Sequence, residues 1–446
     1  LIGDLHRMKA CGPLSLCYEH IRAWDWRRVG TDITAIVGVI LSGTAPPEVY
    51  EAFKAANLVA LDKTPPSDEG PRPGLRPIGI GHCLYTMCAK VLLRDQVTAL
   101  DDECAPHQRC FSKGGCESVI HGVRIGLETR PEDVVLAADT ENAYNTIDRH
   151  AMLAAIHARA PALYPVAYAM YSSASPLLCR QGLASDPLAV LSSACGSRQG
   201  DVLGTACMAM PLQGPIEEVN QIFGVEGVSC TNISDNAIFM GPADAVGRAF
   251  DFYSMKCAAI GLKIRPDKSE AWSPTPSATA ALEHLEPLLR DREIKGFPAN
   301  EGLIILGTPV GSDEYVKDRC KKTVETSRPL ADAIQELGAF HGGTFVQHAF
   351  LLLHYCLAPR ITHLLRGVLP ALVMRSAKRF DLLLRTTFTA ILGVPPDHLD
   401  DTTWSLASLR ARHGGLGLRS PSGDAEGAYM GSLLLSYPLM YASFPS

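Results

Sequence analysis

The chain has 446 residues, 47% of them hydrophobic, which is enough to bury a large core and to form two or three lobes. Its formal net charge of −6 argues against an indiscriminate nucleic-acid coat protein, because phosphate affinity rests on clustered Lys and Arg. No stretch reaches the roughly 18 consecutive apolar residues that cross a bilayer, so no membrane partner is expected.

The 14 cysteines include no CxxC pair and no Cys/His spacing typical of a zinc site. They favour reduced, mostly buried thiols, and the predicted location is intracellular, in the nucleus or the cytoplasm. The sequence opens at Leu1, without an initiator Met or a signal-peptide pattern, which predicts a fragment of a longer protein.

The clearest loop is KTPPSDEGPRPGLRP, at residues 63–77, where Pro and Gly forbid a helix. It separates two extended segments, ANLVALDK and RPIGIGH, and helical patterns follow it. Lys63 and Arg76 stand at the ends of the loop, and either can be an ordinary loop charge.

The segment VVLAADTENAYNTIDR begins as a short apolar strand, meets Asp139 at the strand end and turns into a helix. A buried strand fixes the position of such an acid while its end opens to solvent, which is a usual place for a catalytic group. A helix cap is the alternative role for Asp139.

Residues 196–204, GSRQGDVLG, have three glycines around Arg198, Gln199 and Asp201. Glycine lets a backbone or a base approach closely, while Arg and Gln supply directed hydrogen bonds. A simple turn is the alternative interpretation.

Residues 230–241, CTNISDNAIFMG, predict a β-hairpin, because two short apolar runs flank a Ser-Asp-Asn tip. Asp235 and Asn236 are good turn formers, and the pattern alone gives them no other role.

A helix, a short strand with Lys268 and the apolar strand in EGLIILGTPVGS come next, and the pattern after residue 313 is helical. A basic run then follows at Arg375, Lys378, Arg379 and Arg385. Spacings of three, four and seven residues place most of this run near one helical stripe, which is either a nucleic-acid surface or a solvated face.

The motifs LDK with GLRPIGIG, AADTENAYNTIDR, GSRQGDVLG, ISDNAIF, GLKIRPDKSE and ILGTPVG together resemble those of reverse transcriptases of non-LTR retrotransposons. The match covers most of the chain. It implies an α+β right-hand polymerase fold with fingers, an antiparallel palm sheet packed on helices, and a helical thumb. The implied domains are an N-terminal extension with fingers over 1–130, a palm over 131–312, and a thumb with a trailing segment over 313–446.

The resemblance implies an RNA-directed DNA polymerase that uses Mg²⁺, with Mn²⁺ as the alternative cation. Asp139 matches the first metal-binding carboxylate of the family, and Asp235 matches the first aspartate of its YxDD-type turn. Asn236 stands where the family has a second aspartate, and Ile233 where it usually has Tyr or Phe. Amide oxygen brings no charge, so weaker metal binding and reduced activity are expected.

The resemblance also assigns nucleotide-binding roles to Lys63, Arg76, Tyr144, Gln199 and Gly200. Tyr144 matches the aromatic residue that excludes a ribose 2′-hydroxyl, which implies deoxynucleoside triphosphates, although a core aromatic is an alternative. Lys63 and Arg76 match residues that hold the triphosphate. Gln199 and Gly200 match residues that position template and nucleotide, and Lys268 matches the lysine that protonates pyrophosphate.

The expected macromolecular partners are an RNA template and a DNA primer, with Arg375, Lys378, Arg379 and Arg385 facing their duplex. The alternative function is a catalytically inactive retrotransposon remnant that keeps the fold and binds nucleic acid. Departures at Val202 and Gly204, where the family has Pro and Ser, favour that alternative. Tyr144 disfavours a polymerase that makes RNA.

Overall fold

The structure is a computed structural model that describes residues 10–62, 74–179, 188–275, 278–395 and 399–443. Its strands are β1 Ala56–Asp62, β2 Leu75–Ile80, β3 Val134–Thr140, β4 Ser175–Cys179, β5 Ala189–Ser193, β6 Ser229–Ile233, β7 Asn236–Gly241, β8 Ile264–Trp272, β9 Lys295–Phe297, β10 Gly302–Ile305 and β11 Thr308–Gly311.

The α-helices are α1 Tyr18–Ala23, α2 Trp26–Leu41, α3 Pro47–Lys54, α4 Cys83–Cys104, α5 Gly115–Thr129, α6 Ala143–Thr146, α7 Arg149–Arg159, α8 Tyr164–Tyr171, α9 Gly204–Phe223, α10 Ala243–Ala259, α11 Ala278–Leu289, α12 Asp313–Glu325, α13 Arg328–Ala339, α14 Val346–Leu352, α15 Thr362–Gly367, α16 Pro370–Leu392, α17 Asp401–Ser408 and α18 Pro421–Ser443. A π-helical turn at Leu353–Leu357 follows α14.

The central sheet has five strands in the order β6-β7-β3-β8-β9, and its neighbours are antiparallel except for β8 and β9. Its middle strand, β3, is buried on both faces. Val134 and Leu136 belong to the core formed with α9 and α10, whereas Val135 belongs to the core formed with α5 and the β10–β11 hairpin. This alternation follows the two-residue period of a strand, and it explains the continuous apolar run before Asp139.

A second sheet, in the order β2-β1-β4-β5, brings distant parts of the chain together. β1 pairs antiparallel with β2 and parallel with β4, and β4 pairs antiparallel with β5. The β4–β5 pair thus lies inside the predicted palm range but joins the sheet of the predicted fingers. The domain boundaries stay a prediction.

The C-terminal part, from α12 to α18, is helical as predicted and has an apolar core of its own. Its last helix, α18, returns to the middle of the chain and packs on α5. His121 Nε2 lies 3.0 Å from Ser432 Oγ, and the Arg124 guanidinium lies over the Tyr429 ring. The predicted trailing segment is therefore part of the folded body.

The predicted fold class is confirmed: the chain is an α+β protein with a mainly antiparallel sheet packed on helices and a helical C-terminal unit, the arrangement of a right hand. Within the described ranges, no helix is both long enough and apolar enough to span a membrane. All 14 cysteines are free thiols and seven are buried, so the prediction of mostly buried thiols holds for half of them.

Candidate active site

The predicted hairpin is confirmed. β6 and β7 pair up to Ile233 and Asn236, which leaves Ser234 and Asp235 as a two-residue turn. Ser234 has a φ of 57°, in the left-handed region that residues with a Cβ seldom adopt. Such turns match the twist of the two arms they connect. The hairpin therefore presents Asp235 at its tip.

Strand β3 brings Asp139 to the same tip. β3 runs antiparallel to β7 and pairs Ala138 with Ala237, so the next residue along β3 lies beside the turn. Thr140 Oγ1 donates to the Asp235 carbonyl at 3.2 Å. On the other side, the Asp139 N–H donates to Ser269 Oγ in β8 at 3.1 Å. Hydrogen bonds across adjacent strands thus hold Asp139 and Asp235 at one edge of the central sheet.

The two carboxylates influence each other. Burial raises the pKa of the Asp235 carboxyl, and the negative charge of Asp139 raises it further, while a hydrogen bond from its own backbone opposes the shift. Asp139 itself is exposed. A divalent cation relieves this kind of repulsion, because it favours the ionised form of both groups.

The oxygen donors at this edge suit Mg²⁺, which prefers carboxylate and amide oxygens. Asn236 Nδ2 lies 3.4 Å from Ile233 O and 3.4 Å from Asp235 Oδ1, so the amide oxygen is the group left for a cation. Within the part of the chain that the structure describes, no three His, Cys, Asp or Glu side chains form a metal-binding group. Two acidic side chains and one neutral amide make up the donor set.

Arg265 also lies at this edge of the central sheet, and the sequence analysis did not predict it. It is the cross-strand partner of Asp139, at a point where the pairing of β3 with β8 shifts register. Its Nε and Nη2 bind both carboxylate oxygens of Asp267, and Nη1 lies 3.6 Å from Glu141 Oε1. The pKa of Arg265 is raised, mainly by Asp267 and to a smaller extent by Asp139. This pairing depends on the register shift between β3 and β8, so no pattern local in the sequence could indicate it.

Tyr144, the residue predicted to select the sugar, lies beside the turn. It belongs to the short helix α6, is half-buried, and its hydroxyl lies 2.7 Å from Ser234 Oγ. The glycine-rich loop docks on this helix. Ser197 N–H donates to Tyr144 O at 2.7 Å, and a Cβ at Gly196 would overlap that same carbonyl. The glycine at this position is therefore required for the loop to reach α6.

The far end of the same loop contacts β2. Gly79 N–H donates to Gln199 O at 2.8 Å, and Gly200, with a φ of 104°, comes so close that a Cβ would lie 2.9 Å from Gly79 O. Arg76 is exposed on β2, three residues before Gly79. Lys63 lies outside the described residues. The loop thus links the strand of Arg76 to the helix of Tyr144.

Lys268 is exposed in β8, next to Ser269, which binds the backbone of Asp139. In α16, Arg375, Lys378 and Arg379 are exposed. The fourth predicted cation of that helix, Arg385, is partly buried.

Arg385 differs from the other three because it has an internal partner. Its Nη1 lies 2.7 Å from Asp401 Oδ1, and Nη2 donates to Leu399 O. Three of the four predicted nucleic-acid-binding cations thus project from α16 into solvent.

Asp201, within the glycine-rich loop, is part of a buried polar cluster. Its side chain has no exposed surface and lies 3.3 Å from Arg198 Nη2. The hydroxyls of Tyr85 and Tyr171 donate to it at 3.0 and 2.7 Å, and the Leu203 N–H donates at 3.0 Å. This arrangement gives Arg198 and Asp201 a structural role.

No protein-family model matches the chain. It is 24% identical over 404 residues, 89% of its length, to the "Retrotransposable element SLACS 132 kDa protein" of Trypanosoma brucei gambiense. The chain spans about a third of the length of that curated relative, 31%.

Among solved structures, the chain is similar to apo telomerase from Candida tropicalis, with 10% identity, 89% of this chain and 67% of that chain covered, and a TM-score of 0.48. It is also similar to telomerase from Candida albicans in complex with a TWJ fragment of telomeric RNA. There the identity is 11%, the coverage 90% and 64%, and the TM-score 0.46.

Proposed function

We propose that the chain is the reverse transcriptase domain of a non-LTR retrotransposon, which extends a DNA primer with deoxynucleoside triphosphates on an RNA template. The observation that carries the proposal is the meeting of Asp139 and Asp235 at one edge of the central sheet, tied by Thr140. The similarity to a retrotransposable element protein supports the same class.

Asp139 and Asp235 would hold the divalent cations of this reaction, Mg²⁺ or Mn²⁺, and Asn236 would add a neutral oxygen. When bound, such cations would activate the primer hydroxyl and neutralise the charge on the leaving phosphate oxygen. The protein contributes a rigid pair of carboxylates, because strands on both sides hold β3 in place. Its negative charge is one unit below that of a site with three aspartates.

The nucleotide would bind between the Asp235 turn and the glycine-rich loop. Tyr144, whose hydroxyl is held by Ser234, would exclude the 2′-hydroxyl of a ribonucleotide. The exposed Arg76 guanidinium is suited to bidentate binding of the triphosphate. Gln199 and Gly200, fixed against β2, would position the base pair, and Lys268 would supply the proton to the pyrophosphate.

The RNA template and DNA primer would lie against α16, where the exposed cations meet the phosphates of the duplex. This assignment is supported for Arg375, Lys378 and Arg379 by their exposure. Arg385, which is bound to Asp401, is the weakest member of the set.

A catalytically inactive remnant that keeps the fold and binds nucleic acid is the second candidate. Asn236 favours it, because the substitution removes one negative charge from the metal site.

Primer extension on poly(rA)/oligo(dT) decides between the two functions. The parent chain, Asn236→Asp and an Asp139→Ala blank are compared, each with Mg²⁺ and with Mn²⁺. We expect the parent to exceed the blank and Asn236→Asp to exceed the parent by about tenfold, equivalent to ~1.4 kcal/mol of transition-state stabilisation. Asn236→Asp at the blank level with both cations would refute the polymerase, whereas parent activity above the blank would refute the remnant.

A further inference from the structure

The turn that carries Asp235 begins at a strained residue. Ser234 has a φ of 57°, and its hydroxyl is engaged with the Tyr144 hydroxyl. A residue with a Cβ keeps such a conformation only where its surroundings hold it there. The turn therefore needs support from outside the hairpin, and the connection between α4 and α5 supplies it.

Gln108, in that connection, binds both backbone polar groups of Ser234. The Ser234 N–H donates to Gln108 Oε1 at 2.9 Å, and Gln108 Nε2 donates to Ser234 O at 3.2 Å. β6 is the outer strand of the central sheet, so the amide takes the place of a neighbouring strand. Gln108 has no exposed surface, and water does not compete for these bonds.

The segment around Gln108 is itself fixed. On either side of it, Asn232 N–H donates to His107 O at 2.8 Å, and Arg109 N–H donates to Asn232 O at 2.9 Å. Arg109 is 2% exposed, and its Nη2 donates to Leu439 O in the last helix at 2.8 Å. The amide of Gln108 thus extends from a rigid support rather than from a loose loop.

We propose that Gln108 is the positioning residue that sets the Asp235 carboxylate against Asp139. It acts through the Ser234 backbone, which is covalently joined to Asp235, and it touches neither the carboxylates nor a nucleotide. The inference rests on the proposed function for its consequence in catalysis. Its geometric part, the control of the turn by one buried amide, can be tested without any enzyme activity.

A second amide that binds the outer edge of β6 provides a matched control. Asn220, in α9, binds both backbone groups of Cys230: its Nδ2 donates to Cys230 O at 2.8 Å, and Cys230 N–H donates to Oδ1 at 2.9 Å. This amide protects the outer edge of β6 in the same way, but four residues from the turn. Asn220→Leu therefore reports the effect of losing an edge amide without disturbing Ser234.

Hydrogen exchange of the 230–239 segment tests the geometric part. In Gln108→Leu we expect the amide of Ser234 to exchange at least about tenfold faster, because the hydrogen bond that it donates to Gln108 Oε1 is lost. In Asn220→Leu the increase should be confined to the amide of Cys230. Equal exchange at Ser234 in Gln108→Leu and the parent would overturn the proposal.

Mn²⁺ binding, followed by electron paramagnetic resonance, tests the link to the carboxylates. We expect Gln108→Leu to weaken binding of Mn²⁺ by about tenfold or more and Asn220→Leu to leave it unchanged. An equal loss of Mn²⁺ affinity in both variants would show that Gln108 has no specific effect on the carboxylates. A parent that binds no Mn²⁺ would contradict the proposed function, while the exchange result would still decide the role of Gln108.

Gln108→Glu covers the case in which Gln108→Leu does not fold. A protonated carboxylic acid both donates and accepts, as the amide does, whereas a carboxylate only accepts and would face the Ser234 carbonyl. Burial raises the pKa of such a group above its usual value of about 4.3. Protection of the turn, corrected for intrinsic exchange, should match the parent at low pH and be lost as pH rises. Parent-like protection at a pH where titration shows the introduced carboxyl to be ionised would overturn the proposal.

Discussion

Asp201 and Asp235 are both acidic residues with limited exposure to water, but the groups that surround their carboxylates differ. Asp201 has its counter-charge and its hydrogen-bond donors inside the protein, in Arg198, Tyr85 and Tyr171. Asp235 is placed beside a second carboxylate that disfavours its ionisation. A carboxylate with internal partners stabilises the fold, and a carboxylate beside a second one is the arrangement on which the proposed cation site rests.

The largest expected effect is on stability at the internally paired site. Asp201→Asn should lower the free energy of unfolding by about 3–5 kcal/mol, because Arg198 would keep its charge in a buried site without a counter-ion. Urea denaturation measures the change. Asp235→Asn is the control and should not destabilise the fold. Similar losses in both variants would remove the distinction between the two acids.

The next largest effect is expected on duplex binding by the exposed cations of α16, which, unlike Arg385, project into solvent. Replacing Arg375, Lys378 and Arg379 by Gln should reduce the slope of log affinity against log salt for an RNA–DNA duplex by about 2 to 3. Binding at low salt should then fall by about a hundredfold or more. Filter binding at several salt concentrations gives the slope.

Arg385 is the matched control for that triple variant, because Asp401 already pairs with it. Arg385→Gln should change the slope by much less than one unit. An unchanged slope in the triple variant would mean that this helix face is only solvated.

A smaller effect, on nucleotide binding, is expected at Arg76, which is exposed whereas Arg198 is buried. Arg76→Ala should raise the KM for the nucleotide by about tenfold, since a charge-assisted bidentate contact contributes roughly 1.5–3 kcal/mol. Binding of template and primer should stay nearly constant. Steady-state kinetics together with duplex titration separate the two quantities. If duplex binding weakens as much as nucleotide binding, Arg76 does not hold the triphosphate.

The smallest effect is the pH dependence of stability at Asp235. Its pKa is raised in the folded state, so the folded protein keeps a proton that the unfolded chain releases. Stability should therefore fall as pH rises from the ordinary aspartate value to the folded-state pKa, and stay level above it. Asp235→Asn should remove this decline. The decline persisting in Asp235→Asn would assign it to other groups.

Patterns local in sequence predicted much of this architecture. The apolar run before Asp139 and the two arms around Ser-Asp-Asn predicted β3 and the hairpin, because each pattern lies within about a dozen consecutive residues. Contacts between distant segments were not predictable. Gln108 reaches a turn 126 residues away, and Arg265 faces Asp139 through a register shift. The composition of the chain gives no signal for either contact.

Two further contacts between distant elements were also not predicted from the sequence. The β4–β5 pair joins β1 through a parallel pairing, and α18 returns to α5 across most of the chain. Sequence patterns place a strand or a helix but do not name its neighbour. For that reason the helical nature of the C-terminal part was predicted, while its attachment to α5 was found only in the structure.

That attachment has a mechanical consequence. The helical unit is joined to the rest of the protein at its start, where α12 follows β11, and again at its end, where Leu439 accepts a hydrogen bond from Arg109. Between these two ends, α15 also binds α5: Arg366 Nε lies 2.6 Å from Glu117 Oε1, and Arg124 Nη1 donates to Gly367 O at 3.0 Å. The helical unit should therefore move together with α5 rather than independently of it, and a displacement of the last helix would be passed to Arg109, the residue after Gln108.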